Sequence, residues 1–355
     1  MDCKRCTVIP EKDIQASFAY LILPTHHHIE PLKEAVNRLG LTYSRKAEGY
    51  LIETSDFEEL ALTLCKDYFN SMEQQDIYMM PMKDQCLSFG SLNQFKPLKY
   101  WKDLYLGGEL LHILSKKSIK TLFQPIMDVK KRKVYGYEAL SRGIKKDGSI
   151  MAPFEMFQRA RDMDLLFHLD RLCREKVIKN AALKGIKEKL FINFIPTAIY
   201  DPDKCLQTTD AAIRKYDLNS SQVVFEVVET ERVDDYDHLN YILNYYKEKG
   251  YATALDDVGS GFASLGSLLQ LKPEYMKIDM KIIRGIHENN DQQRVLKNYI
   301  EVARENSIAV LAEGVESEEE VLYLREAGVD LLQGYYFGKP ADEPATNAEI
   351  NCPML

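Results

Sequence analysis

The chain lacks what would place it in a membrane, in a disulfide framework or along duplex nucleic acid. Among its 355 residues no apolar run approaches the roughly 20 that a membrane-spanning helix requires. The N-terminus, Met1-Asp2-Cys3-Lys4-Arg5-Cys6, leads into polar residues and not into the apolar core of a secretion signal. A cytoplasmic location is therefore expected. Seven cysteines in a chain of this length are too few for a disulfide scaffold. A basic excess is also missing. Net charge is −8; residues 1–100 carry 11 Lys and Arg against 14 Asp and Glu, and the remainder carries 35 against 40. That balance argues against a duplex-binding surface, because phosphate binding draws on Lys and Arg. A small phosphorylated ligand held through metal ions remains compatible. There is one Trp, and the 21 Tyr are scattered, with no stacking platform for single-stranded nucleic acid. Internal repeats and low-complexity tracts are absent.

What is there divides in two. Residues 1–100 read as a small α+β domain. Residues 17–23 have strand character, Pro31 to Leu39 is helical with Gly40 as its stop, and two short strands near 42–46 and 49–54 meet across Glu48-Gly49. Ser55 or Asp56 can cap a helix running from Phe57 to about Ser71. Residues 76–82 close the pattern. The order β-α-β-β-α-β predicts a ferredoxin-like sandwich, a fold that assigns no function by itself. Residues 101–117 read as a linker with a helical stripe.

From Leu122 strands and helices alternate, with helical stretches near 153–163, 168–184, 196–200, 203–216, 235–250, 280–286, 291–305 and 317–327. Gly250, Asn306 and Gly328 are sensible helix terminators. Eight candidate strands over residues 118–345 predict a modified TIM (β/α)8 barrel.

The acids are placed with a pattern. Glu138 follows Val134–Tyr137, Asn193 follows Leu190–Ile192, Glu226 follows Val223–Phe225, Asp256-Asp257 follow Tyr251–Leu255, and Glu313 follows Ile308–Ala312. Acids at the ends of parallel strands converge on one rim, where they repel one another unless cations sit among them. Hard oxygen ligands suit Mg²⁺ or Mn²⁺. Lys277, on the apolar run Tyr275–Ile278, needs an acid or phosphate partner if it points inward.

These pieces resemble the EAL family. Glu138-Ala139-Leu140 carries the signature that names it, with Phe123-Gln124-Pro125-Ile126 before it. Glu226-Val227-Val228-Glu229, Asp256-Asp257-Val258-Gly259-Ser260-Gly261, Lys277-Ile278-Asp279, Ala312-Glu313-Gly314-Val315-Glu316 and Gln333-Gly334-Tyr335 follow in order, over about 118–342. The resemblance implies an EAL-type barrel, often with its first strand reversed, that hydrolyses cyclic di-GMP to linear 5'-pGpG. The water would be activated by two Mg²⁺ or Mn²⁺ ions about 4 Å apart. It also implies a homodimer through the barrel. A ligand or protein partner of the first domain is left unidentified.

By the resemblance, Glu138, Asn193, Glu226 and Asp256 hold the first metal, and Asp256, Asp257 and Glu313 the second. Lys277 would lie beside the attacking water, Glu313 is either second-metal ligand or proton acceptor, and Glu229 would anchor the glycine loop in support of catalysis. Gln124, Arg142, Gln333 and Glu316 are candidate substrate contacts, although Glu316 equally fits an acid at a helix N-terminus. Adjacent aspartates on a strand point to opposite faces, so Asp256 and Asp257 can share a site only if the strand ends there, with Gly259 and Gly261 permitting the turn. Two departures from the family pattern are Val258, where Phe is usual, and Ile195-Pro196 after Asn193-Phe194, where Ser is common. A binding module or scaffold without turnover is the alternative, although all presumed ligands are present. Cys3-Lys4-Arg5-Cys6 has the spacing of half a zinc site, with His26-His27-His28 and Cys86 as possible partners, against a frayed terminus with free thiols.

Overall fold

The computed structural model describes residues 14–87, 94–199, 201–227, 236–259 and 270–350. The chain forms two compact units, one comprising residues 1–116 and 154–166, the other residues 117–153 and 167–355.

The first unit contains β1 (Phe18–Ile22), a helix over Ile29–Arg38, β2 (Thr42–Lys46), β3 (Gly49–Glu53), a helix over Phe57–Thr63, β4 (Tyr78–Met82) and the short β5 (Lys96–Pro97). The sheet order is β2-β3-β1-β4-β5, with antiparallel neighbours throughout. The interleaving of β1 and β3 between β2 and β4 is the ferredoxin-like arrangement expected from the element order. Period-two alternation divides the strands: Tyr20, Leu51, Met80 and Met82 form one cluster, whereas Ala19, Leu21 and Met79 are buried on the opposite face. The three methionines are core residues. Asp56 caps the second helix by accepting from the Glu59 amide at 2.8 Å. That helix keeps α geometry only to Thr63 and continues as a π turn to Tyr68, short of the expected Ser71.

The second unit is a closed barrel. Its strands are β6 (Ile119–Asp128), β7 (Lys133–Ile144), β9 (Lys189–Phe194), β10 (Val223–Val227), β11 (Ala252–Val258), β12 (Tyr275–Ile278), β13 (Ala309–Ala312) and β14 (Leu331–Gln333), and the short β8 (Ile150–Met151) adds to β7. β6 is antiparallel to both β7 and β14, while the pairs from β7 through β9 to β14 are parallel. The reversed first strand is the modification of the TIM barrel that the resemblance implies. Ile126, Phe191, Val224, Ala254, Tyr275, Leu311 and Leu331 fill one layer of the interior, each from a different strand. Gly250 and Gly328 take the left-handed conformation after their helices. After the helix Asn290–Glu305 the left-handed residue is Ser307, not Asn306, whose side chain instead donates to the Val302 carbonyl at 2.8 Å. No helix among the described residues is long and apolar enough to cross a membrane.

Candidate active site at the barrel rim

The parallel strands all deliver their C-terminal residues to one end of the barrel, and the polar side chains gather there. Asn193 and Glu226 are direct register partners in β9–β10, as Gln124 and Glu138 are in β6–β7. Asn193 Nδ2 donates to Glu138 Oε1 at 3.2 Å. Gln333, at the end of β14, donates from Nε2 to Glu138 Oε2 at 2.5 Å and to Gln124 Oε1 at 3.2 Å. Gln124 in turn donates to the Gly338 carbonyl at 3.3 Å. Gln333 can sit this far in because Gly334 lies against the backbone of Val315, where a Cβ would meet the Val315 carbonyl oxygen at 2.0 Å.

Lys277 stands at the centre. Its Nζ lies 2.7 Å from Glu226 Oε1, 2.8 Å from Glu313 Oε1, 2.9 Å from Asp256 Oδ1 and 3.8 Å from Glu138 Oε1. The Lys277 side chain is 1% exposed and that of Glu226 0%. Burial pushes the Glu226 carboxyl well above its ordinary range, Lys277 opposes this, and repulsion from Glu138 and Asp256 adds to it. On Lys277 burial acts downward, but Asp256, Glu138, Glu226 and Glu313 outweigh it and hold the ammonium well above its usual value. Both directions hold together because one ammonium faces four acids: it stays charged, and an acid left short of counter-charge takes up a proton. Asp279 takes no part in these ion pairs. It caps the helix Met280–Ile283 by accepting from the Lys281 amide at 2.6 Å.

Asp256 and Asp257 reach one site by a route different from the expected turn. β11 continues through both to Val258, and the register against β12 shifts between Leu255 and Val258. Within that bulge Asp257 takes a left-handed conformation, φ 54°. Alternation is broken, and carboxylate oxygens of Asp256, Asp257 and Glu313 lie within 4.8 Å of one another. Burial raises Asp257 to about 6, with Asp256 and Asp279 adding repulsion. Burial also raises Glu313 to about 8, opposed by Lys277 and reinforced by Asp256 and Glu138.

The donor set fits a small hard dication. The ligands are all oxygen, they carry more negative charge than Lys277 balances, and Glu226 Oε2 is buried with no hydrogen-bond donor among the described residues. Glu138, Asn193, Glu226 and Asp256 could hold one cation, and Asp256, Asp257 and Glu313 a second.

One sequence family, described as EAL domain, matches residues 108–340. The chain belongs to the EAL family. A structure of a standalone versatile EAL protein from Vibrio cholerae O395, in a c-di-GMP bound form, is similar over 66% of this chain and 97% of that one, with 38% identity and a TM-score of 0.61. Over 238 residues the chain is 31% identical to the probable cyclic di-GMP phosphodiesterase PdeG of Escherichia coli K12, covering 65% of this chain and 46% of that protein. Over 221 residues it is 29% identical to the signaling protein YkoW of Bacillus subtilis 168, covering 61% of this chain and 28% of that protein. The chain thus spans less than half the length of these two curated relatives.

Within this EAL domain the structure brings Gln124, Glu138, Asn193, Glu226, Asp256, Asp257, Lys277, Glu313 and Gln333 together. Arg142 lies on β7 beyond Glu138, with Nη1 donating to the Ser141 carbonyl at 2.9 Å. Burial lowers its guanidinium, while Glu138 and Tyr335 pull it back up. Glu316 is placed elsewhere, in an ion pair with Arg284, its amide donating to Glu320 Oε2 at 2.8 Å. Glu229, Gly261, Cys3 and Cys6 lie outside the described residues. Of the two departures, Val258 is buried and pairs with Ile278 after the bulge, and Pro196 opens a 3-10 turn.

Sequence reasoning missed Asp170. Its Oδ1 accepts from the Ile195 amide at 3.2 Å, two residues beyond Asn193, and its Oδ2 pairs at 2.9 Å with a fully buried Arg174. Acid and arginine four apart on a helix usually read as a surface pair. The signal available was the apolar company of Leu165, Leu166, Phe167 and Leu169.

Proposed function

We propose that this chain is a cyclic di-GMP phosphodiesterase that hydrolyses its substrate to linear 5'-pGpG with two Mg²⁺ or Mn²⁺ ions. The observation that carries the proposal is the convergence of Glu138, Asn193, Glu226, Asp256, Asp257 and Glu313, from four strands and the residue directly after a fifth, around one buried lysine. The substrate class is supported by the names of the EAL relatives. When bound, the metal pair supplies a nucleophile at neutral pH and offsets charge on the phosphate oxygens.

The chain's own residues have separable tasks. Asn193 and Gln333 hold the two oxygens of Glu138 and so fix its orientation. Lys277 gives positive charge beside the reacting phosphate, and Glu313 accepts a proton from the attacking water or holds the second cation. Arg142 offers a planar fork to a phosphate at the rim. Glu229 is proposed to anchor the loop that follows β11. Glu316 fits a supporting place outside the substrate contacts. We assign residues 118–345 to the hydrolase barrel and residues 1–100 to a regulatory or partner-binding domain, with dimerisation through the barrel and a cytoplasmic setting.

Single-turnover hydrolysis of cyclic di-GMP with Mg²⁺ or Mn²⁺, comparing the unaltered chain with Glu138→Ala, is the test. Metal-dependent 5'-pGpG formation that the substitution abolishes is expected. Tight binding without product from metal-loaded protein would make the chain a receptor instead.

A further inference from the structure

We propose that Lys277 is the resident counter-ion of the acidic cluster, and that the first divalent cation binds in competition with its ammonium, an inference that rests on the metal-site reading above. Three carboxylates from three different strands or strand ends, Glu226, Asp256 and Glu313, each place an oxygen 2.7–2.9 Å from Nζ. Two of them, Glu226 and Asp256, are ligands assigned to the first cation, and Glu138, the third acidic ligand, lies 3.8 Å from Nζ. The ammonium therefore occupies lone pairs that the cation would use, at hydrogen-bonding distance and not across solvent.

Burial makes the competition strong. With the Lys277 side chain 1% exposed and Glu226 0% exposed, charges here act on one another with little screening by water. A dication sharing these ligands adds two positive charges beside one that is already held. It must repel the ammonium or displace it from some of its partners. The same contacts make Lys277 a stabilising element before any cation arrives, since buried acids left with no cation at all are costly. Lys277 thus lowers cation affinity while keeping the empty cluster foldable, and so sets the cation concentration at which the site fills. Loss of hydrolysis on changing Lys277 would be expected from its place beside the phosphate alone. The informative readout is cation binding.

The experiment uses the full chain, treated with chelator and dialysed, and measures Mn²⁺ binding by calorimetry at fixed pH for the unaltered protein, Lys277→Met, Lys277→Gln and Lys277→Arg. Met and Gln, which remove the charge, are expected to tighten Mn²⁺ binding by at least about tenfold, and Arg, which keeps it, is expected not to. Thermal unfolding serves where a neutral variant is too unstable for calorimetry. Without metal the neutral variants should melt below the unaltered chain, and Mn²⁺ should raise their melting temperatures by more than it raises that of the unaltered chain. Equal or weaker Mn²⁺ binding in the neutral variants, or the same gain with Arg, overturns the competition while leaving the metal site standing. Absence of Mn²⁺ binding in every protein overturns the metal site itself, and the competition with it.

Discussion

Asp257 stands in the left-handed region at φ 54° directly after Asp256, and this one backbone twist turns two neighbouring carboxylates toward the same cluster. A non-glycine residue held there marks a position where the surroundings override local preference. Asp and Asn tolerate this conformation better than most residues, so Asp257→Asn keeps the bulge and removes the charge. Hydrolysis should fall by about tenfold or more with the melting temperature nearly unchanged. A variant with full activity would remove Asp257 from the proposed second site.

The acids of the cluster predict how stability responds to pH once metal is removed. Asp257 rises from 3.8 to about 6 and Glu313 from 4.5 to about 8, so each holds its proton more tightly in the folded chain than in the unfolded one. Their contribution is present at low pH and is lost as pH rises through the folded values. The melting temperature of chelated protein should therefore decline from about pH 5 to about pH 8, and saturating Mn²⁺ should flatten that decline. A melting temperature that climbs over the same interval under chelation would contradict the assigned directions.

Gln333 bridges Gln124 and Glu138 from the last strand. Gln333→Ala should cost about 1 kcal/mol of stability for the lost hydrogen bonds. It should also lower kcat through a loosened Glu138. Gln333→Glu puts a like charge against Glu138 and should be worse in chelated protein. Steady-state kinetics together with denaturant unfolding check both, and a Glu variant more active than the Ala variant would count against the orienting role.

A control lies in the barrel's apolar layer, where Tyr135 and Tyr275 share a hydroxyl–hydroxyl hydrogen bond of 2.5 Å. Tyr275→Phe should destabilise by about 1–2 kcal/mol, because it leaves a partly buried hydroxyl without its partner. Turnover should be unchanged when both proteins are assayed well below their melting temperatures. Chemical unfolding gives the first quantity and initial rates the second.

Much of this protein was legible in the order of its residues. Period-two and period-3.6 patterns depend on neighbours a few positions away, which is why the β-α-β-β-α-β order of the first hundred residues and the strand–helix alternation of the barrel could be read directly. The motif from Glu138 to Gln333 also carried its family. Tertiary structure decided the rest, because the deciding forces act between residues far apart in sequence. The bulge at Asp257 appears only where β11 must match β12. The burial of Asp170 with Arg174 depends on what packs over one helix. Glu316 turned to Arg284, an ion pair that a separation of 32 positions hides from any local pattern. The three close ion pairs of Lys277 were equally out of reach. Sequence required that an inward lysine find an acid, but only closure of the barrel brought Glu226, Asp256 and Glu313 to the same nitrogen.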